Sequence, residues 1–388
     1  METLNPAAGA PRQVWLDVSR LVAMFLLVCC HCADPFNFYS GHDPETIARI
    51  QFWGGAWGSL IRPCVPLFVM ITGSLLLPLR RETGPFLRRY LPRIIWPFVI
   101  WSAIYYLFPW LLSLLGGGPE MLGVFFPYAA SEPATLSAAL DRIVRIPLNF
   151  NPLAVQMWYI YLLVGLYLYL PVFSAWVEKA SLRAKLWFLG VWGVTLLLPY
   201  YRHFVDGQLW GECAWNDFGM LYYFCGFNGY LLLGHVLRHH VLPWRTVLLW
   251  GVPMFVAGYL LTLFGFNYTR TLSNVTDDLD ILELFWTYCS LSVVLMSAPL
   301  FALMPHLNPR SERVQRLLKN LTTCGFGIFM IHYFFIGPSV QLMRTLGVPM
   351  GLQIPLAAVV AFAASWLVVD GLRRLLGARA SLVVLGAR

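Results

Sequence analysis

Charged residues are scarce in this sequence, and their scarcity excludes most soluble folds. Asp, Glu, Lys and Arg together make up 12% of the 388 residues, whereas 59% are hydrophobic and 16% are aromatic. A soluble domain of this length could not cover so much apolar surface with so few charges. The sequence also lacks a convincing internal repeat and a low-complexity tail, and its first apolar segment has no cleavage site typical of a signal peptide.

Cysteine is present, but it is not arranged as a disulfide framework. All eight cysteines except Cys213 lie within apolar segments, which is typical of thiols packed as small apolar side chains. Cys29, Cys30, His31 and Cys32 form a run of metal-binding residue types, but successive helical residues point about 100° apart and cannot converge on one ion. We therefore expect no metal site.

Long apolar segments dominate the sequence instead. A segment of about 20 apolar residues can cross a hydrocarbon core roughly 30 Å thick. The pattern predicts an all-α, polytopic integral membrane protein with one transmembrane domain over residues 1–388. Hydropathy predicts ten spans, near residues 14–34, 53–77, 94–116, 153–176, 184–200, 218–237, 243–265, 282–304, 320–341 and 353–372. The longest connection, residues 117–152, is expected to hold short helices that cover a cavity.

The positive charges are sorted between the loops. Most of the 27 Lys and Arg residues lie in the loops on one side of the ten predicted spans. Cytoplasmic loops of membrane proteins are enriched in these residues, so this side is expected to be cytoplasmic. This distribution predicts that both termini are cytoplasmic. The net charge of +8 therefore reports membrane topology, and we expect membrane lipids rather than nucleic acid as the surroundings of the protein.

The first predicted span carries three ionisable residues, which are costly inside a membrane unless they are paired or hydrated. Arg20 and His31 are eleven positions apart, so they share one helix face and are separated by roughly 16 Å along the axis. Asp17 lies about 60° away on the same side. Either this polar stripe lines a functional cavity, or Asp17 and Arg20 form a structural pair beside a hydrogen-bonded histidine.

Two further groups of basic residues have alternative interpretations. Arg62 lies in the second span at a depth similar to that of His31; it could bind an anionic or hydroxyl-rich substrate, or it could neutralise Glu283. The run RRETGPFLRRYLPR places Arg88, Arg89 and Arg93 at the membrane surface. Cytoplasmic loops are basic in any case, but such a cluster also suits a cofactor that carries phosphates.

The remaining candidates are histidines and aromatic residues. His332 could belong to the site or could be capped by a neighbouring carbonyl. Trp158 and Tyr159 could stack on a sugar ring, although aromatic residues are enriched at that depth in any membrane protein. Glu283 could orient His31 or could belong to its loop alone, and we expect surface positions for two further histidines, His239 and His240.

These segments carry a resemblance to a known family. The run LDVSRLVAMFLLVCCH resembles the first helix of membrane-bound acyltransferase family 3, in which an Asp precedes an Arg by three positions and ten residues separate the Arg from a His. The later stretches VPLFVMITG, RIIWPFVIWSAIYY, QMWYIYLLVGLYLYLP and GFGIFMIH resemble further helices of the family, in the same order over residues 15–332. One departure is Tyr90, which occupies the first position of an arginine pair that the family commonly places there.

The resemblance is closest to members that O-acetylate surface polysaccharides, because no soluble hydrolase-like domain is expected after the last helix. It implies transfer of an acyl group, usually acetyl, from acetyl-CoA to a hydroxyl of a cell-envelope glycan or lipid-linked saccharide, in the bacterial inner (plasma) membrane. A neutral imidazole can take a proton from a hydroxyl, so His31 is the expected general base, supported by Asp17 on the same helix. The expected coenzyme A contacts are Arg20, Arg89 and Arg93, and the expected acceptor contacts are Arg62, Trp158, Tyr159 and His332.

Two other functions are compatible with the same features. A transporter or a flippase of a lipid-linked glycan would also need many spans and a polar stripe lined by aromatic residues. A membrane sensor or assembly protein would use the internal charges for structure alone. The sequence shows neither paired repeats nor an obvious pair of broken helices, which favours the enzyme.

Overall fold

The computed structural model describes residues 13–39, 43–126, 131–205, 207–272 and 279–387. Within these ranges the chain is α-helical and has no β-strand. The α-helices are α1 Val14–Asn37, α2 Pro44–Leu60, α3 Cys64–Leu76, α4 Thr83–Leu114, α5 Pro119–Phe125, α6 Leu136–Val144, α7 Trp158–Lys179, α8 Leu182–Thr195, α9 Leu198–Phe204, α10 Asn228–His239, α11 Trp244–Arg270, α12 Leu279–Leu282, α13 Leu291–Leu303, α14 Glu312–Ile331, α15 Tyr333–Thr345 and α16 Met350–Leu385. Short 3₁₀ turns cover Pro152–Met157, Gly219–Phe224 and Met304–His306.

Several of these segments are long and apolar enough to cross a membrane, which confirms the predicted fold class. In the described ranges there are seven, or eight if α14 and α15 form one span bent by 85°. The seven are Val14–Asn37, Pro44–Leu76, Thr83–Leu114, Pro152–Lys179, Leu182–Phe204, Trp244–Arg270 and Met350–Leu385. The count of ten is not confirmed, because the predicted spans at 218–237 and 282–304 hold shorter helices, α10 and α13, preceded by irregular backbone.

The outer surface of the bundle is apolar, as a lipid environment requires. Large hydrophobic side chains are exposed along α4, α7, α11 and α16, for example Leu114, Val172, Leu249 and Leu367. A soluble protein would not leave so many of them in contact with water. The connection between α4 and α7 contains α5 and α6, as expected for the longest loop.

Helix α1 occupies the centre of the fold and packs against α2, α3, α14, α15 and α16. Helix α3 lies between α1 and α10 and contacts both. Glycines allow the backbones of α3 and α10 to touch: a Cβ atom at Gly234 would lie 2.1 Å from the Met70 carbonyl oxygen, and one at Gly73 would lie 2.0 Å from the Leu231 carbonyl oxygen. Such close approach is how helices associate within a membrane.

One end of the bundle carries several basic residues, and we call it the basic end. They include Arg20, Arg93, Arg373 and Arg374. Arg20 lies there in the second turn of α1, and the Asn320 side-chain amide of α14 donates to the Asp370 carboxylate of α16 over 2.9 Å. The helix α16 then turns at Gly377, whose φ of 69° suits a glycine. The returning segment packs against α4, where the Trp101 indole donates to the Val384 carbonyl over 2.9 Å.

Candidate active site

The three ionisable residues predicted on the first helix are all inside the protein. Asp17, Arg20 and His31 expose 2%, 6% and 9% of their surface, so they face neighbouring helices rather than lipid. The Arg20 guanidinium donates to the Asp17 carboxylate over 3.2 Å. The structural pair is therefore present, and Arg20 also lines a cavity, so pairing with Asp17 does not prevent Arg20 from facing that space.

His31 has an acidic partner that sequence reasoning missed. Its Nδ1 atom lies 3.0 Å from an Asp34 carboxylate oxygen, one helical turn further along α1. The spacing of three residues was the available signal, because side chains at i and i+3 meet on a helix. A carboxylate only accepts hydrogen bonds, so Nδ1 donates to Asp34, and in the neutral form of the ring Nε2 is then the nitrogen with the lone pair. Asp34 takes the orienting role considered for Glu283.

The opposite wall of this site is the break between α14 and α15, at His332. The two helices meet there at 85°, and the His332 ring lies 5.4 Å from the His31 ring. Its Nδ1 donates to the Phe329 carbonyl over 2.8 Å. Its Nε2 atom is buried without a hydrogen-bond partner among the described residues. His332 was predicted within a span, and it lies at the bend between the two halves of a segment that can form one broken span. Its ring is capped by a carbonyl and also lies beside His31.

A cavity lies beside Arg20 near the basic end, and neither histidine is among its lining residues. The cavity itself measures about 40 Å³, or about 600 Å³ when the open space at its mouth is included. Arg20 lies at one side of it, and Tyr159 and Phe329 line it. The Phe329 ring is 6.0 Å from the His332 ring, so the cavity reaches the neighbourhood of the paired imidazoles. Its other lining residues are mainly apolar: Leu21, Met24, Phe68, Leu163, Leu321, Thr322, Gly325, Phe326 and Phe362.

The basic cluster at the start of α4 lies at the same end of the bundle. Arg88 and Arg89 are exposed and Arg93 is half-buried. A Cβ atom added at Gly386, in the returning segment, would lie 3.2 Å from the Arg93 carbonyl oxygen and 2.4 Å from the Phe326 ring. Because Phe326 also lines the cavity, the cluster and the cavity are neighbours.

Arg62 lies in a separate stack of aromatic rings. Its guanidinium carbon is 3.9 Å from the centre of the Trp286 ring and 5.8 Å from that of Tyr288, and the Trp158 ring stacks on Tyr288 at 5.7 Å. Glu283 lies close enough to act on Arg62 electrostatically. The structure thus brings Trp158 together with Arg62, while the adjacent Tyr159 faces the cavity. Stacking of this kind favours Arg over Lys.

The chemistry available at this site is proton transfer by imidazole. Among the described residues, no three His, Cys, Asp or Glu side chains are placed to hold a metal ion. The Cys30 and Cys64 thiols are within hydrogen-bonding reach of each other and lie buried. With Nδ1 bound to Asp34, the His31 imidazole presents its Nε2 atom to the site, and a neutral imidazole nitrogen of this kind can accept a proton from a hydroxyl.

Comparison with models of protein families gives a match over most of the chain. The model of acyltransferase family 3, described as an acyltransferase domain, matches residues 13–370. No curated protein and no solved structure matches the chain. The matched region includes α1 and both histidines of the site, and it covers nearly the whole chain. The chain therefore belongs to acyltransferase family 3 and is a multi-pass membrane acyltransferase.

Proposed function

We propose that this acyltransferase moves an acetyl group from acetyl-CoA to a hydroxyl of a cell-envelope glycan or lipid-linked saccharide. The observation that carries the proposal is the His31 and Asp34 hydrogen bond, with His332 opposite, beside a cavity that begins at Arg20. A base oriented by a carboxylate is what deprotonation of an alcohol requires.

The proposed reaction begins with proton transfer to His31. Its Nε2 atom takes the proton of the acceptor hydroxyl, and the oxygen attacks the thioester carbonyl carbon. The new C–O bond forms and the C–S bond breaks. The proton on Nε2 then passes to the leaving thiolate of coenzyme A. Asp34 stabilises the imidazolium while it exists, and the lone pair of His332 can accept a hydrogen bond from a neighbouring hydroxyl.

The donor would enter from the basic end, which we propose is cytoplasmic, with both termini on that side. The Arg89 and Arg93 side chains would meet the phosphates of coenzyme A. The narrow, largely apolar cavity past Arg20 suits an extended pantetheine arm, whose thioester would then approach the histidines. This placement lets the cell supply acetyl-CoA from the cytoplasm.

The acceptor would approach from the opposite end of the bundle. Arg62 and Trp158 lie in one stack there, and Tyr159 faces the cavity nearby. Aromatic rings and a guanidinium are suited to the faces and hydroxyls of a sugar. We propose the bacterial inner membrane as the location, because envelope saccharides are assembled at its outer face. Family membership favours this enzyme over a flippase or a transporter.

The test is acyl transfer by membranes that contain the full-length protein. Membranes are supplied with acetyl-CoA labelled in the acetyl group, and both label incorporation and coenzyme A thiol release are followed. We expect His31→Ala to lower the rate about 10²- to 10⁴-fold, the usual contribution of a general base. His203→Ala, which changes a histidine on α9 outside the site, should leave the rate within twofold. Near-normal transfer by the His31 variant, at equal protein level, would overturn the proposal.

A further inference from the structure

A second concave site lies at the basic end, away from the cavity that holds Arg20. It is formed by the turn after α3 and by the ends of α7, α8 and α10, and it encloses about 720 Å³ including its open mouth. The two openings share no lining residue. The lining residues are Pro78, Val177, Glu178, Lys185, His235, Val236, His239 and His240.

The polar groups of this pocket hold one another in fixed positions. His235 is buried, with 5% of its surface exposed, and its Nδ1 donates to the Leu77 carbonyl oxygen over 3.1 Å. Its Nε2 therefore keeps a lone pair and accepts from the Lys185 ammonium over 3.3 Å. Because an ammonium carries three N–H donors, two donors of Lys185 remain for a ligand.

Positive charge in and around the pocket exceeds negative charge. Arg238 donates to the Ser74 carbonyl, and Arg80 is close enough to act on it electrostatically. Neither of these arginines nor Lys185 forms an ion pair with a carboxylate in the described part of the chain. Glu178 is the acidic residue in the lining. Within the lining, Lys185 is matched by one carboxylate, but Arg238 and Arg80 add two positive charges close to the pocket. This surplus of positive charge is suited to an anion.

Basic loops are common in membrane proteins, but they do not account for the construction of this pocket. A loop that only marks topology leaves its lysines extended in water. Here the Lys185 ammonium is held by a buried imidazole, which in turn is held by a backbone carbonyl. The exposed His239 and His240 line the mouth, so these histidines, expected at the surface, contribute to a defined concave site.

The pocket also borders the lipid-facing surface. Exposed apolar side chains continue outward from it on the neighbouring helices, including Val172 on α7, and Leu186 and Trp187 on α8. Helix ends at this boundary lie at the depth of lipid headgroups. A ligand with an anionic head could therefore use the pocket while its acyl chains remain among these side chains.

We propose that this pocket binds a phosphate group through Lys185, with His235 as the residue that positions the ammonium. The phosphate belongs either to an anionic lipid headgroup or to a soluble phosphate compound. Charge-assisted hydrogen bonds from an ammonium suit phosphate oxygens. The proposal does not depend on acyl transfer, because no residue that lines this pocket lines the cavity at Arg20.

The experiment compares the full-length protein with Lys185→Gln and Lys179→Gln, purified in the same mild detergent. Lys179 is an exposed lysine at the end of α7 that does not line the pocket, so it is the matched control for loss of one charge. Native mass spectrometry measures retention of phosphatidylglycerol against phosphatidylcholine. Binding of free phosphate is measured as the difference between the unfolding temperatures in inorganic phosphate and in chloride at equal ionic strength.

We expect Lys185→Gln to retain about fivefold less phosphatidylglycerol, the effect of removing one lysine near an anionic lipid, while the Lys179 variant matches the unmodified protein. If inorganic phosphate instead raises the unfolding temperature of the unmodified and Lys179 proteins alone, the ligand is a soluble phosphate. Equal retention and equal temperature shifts in all three proteins would overturn the proposal. Lys185→Arg keeps the positive charge, so it should retain the lipid. That result would show that the loss in Lys185→Gln comes from the missing charge and not from misfolding.

Discussion

Replacement of Asp34 by Asn tests the proposed catalytic pair most directly. Asn is nearly the same size as Asp, and its amide oxygen can still accept from His31 Nδ1, so the change removes charge rather than shape. In the wild type the carboxylate lies 3.0 Å from the imidazole. The charge matters during the reaction, because His31 becomes an imidazolium when it holds the acceptor proton.

The magnitude follows from the interaction of two unit charges. At roughly 4 Å between charge centres and an effective dielectric constant of about 20, the interaction is about 4 kcal/mol, which corresponds to a rate change of about 10³-fold. The Asp34 side chain exposes 20% of its surface, and solvent weakens the interaction. We therefore expect Asp34→Asn to lower the rate about 10²- to 10³-fold.

The assay is the initial rate of labelled acetyl transfer in membranes that contain equal amounts of each protein. Asp43→Asn is the matched control, because it makes the same chemical change at an exposed residue that caps α2; its rate should stay within twofold. The double variant with His31→Ala should be no slower than His31→Ala alone, since Asp34 acts through His31. Transfer by Asp34→Asn within threefold of wild type, while His31→Ala is inactive, would refute the reasoning.

Three further predictions concern stability, each measured as the thermal unfolding of purified protein in detergent. Gly234→Ala should destabilise the fold by about 1–3 kcal/mol, because its Cβ atom would lie 2.1 Å from a carbonyl oxygen of α3; Gly165→Ala, with open space around it, should be neutral or slightly stabilising. Arg62→Lys should cost about 0.5–2 kcal/mol, because an ammonium cannot reproduce the planar contact with Trp286; an unchanged midpoint would argue against that stack. Asp370→Asn should cost about 1–3 kcal/mol, because its carboxylate accepts from one amide and two guanidinium groups, and a gain in stability would contradict this assignment.

Local features of the site could be predicted because they depend on helix geometry alone. The eleven-residue spacing of Arg20 and His31 places both on one face of α1, and both are buried. Asp34 was within reach of the same argument, since it is one turn from His31. The predicted span stopped at residue 34, whereas α1 continues through Pro35 to Asn37.

The span count shows where local patterns are insufficient. Residues 218–237 and 282–304 are apolar, yet α10 begins only at Asn228 and α13 only at Leu291. Hydropathy reports the composition of a segment, but the start of a helix inside a bundle depends on what surrounds it. Helix α10 can be short because α3 packs so closely against it.

Composition and spacing by themselves determined that this is a helical membrane protein with an Asp, Arg and His stripe on its first helix, because hydropathy and the helical repeat are properties of one segment at a time. Only the tertiary structure decided that His332 faces His31, that Arg62 stacks on Trp286, and that Lys185 meets His235. Each of these pairs joins residues at least 50 positions apart. Such contacts depend on how whole helices pack and break, which no single segment specifies.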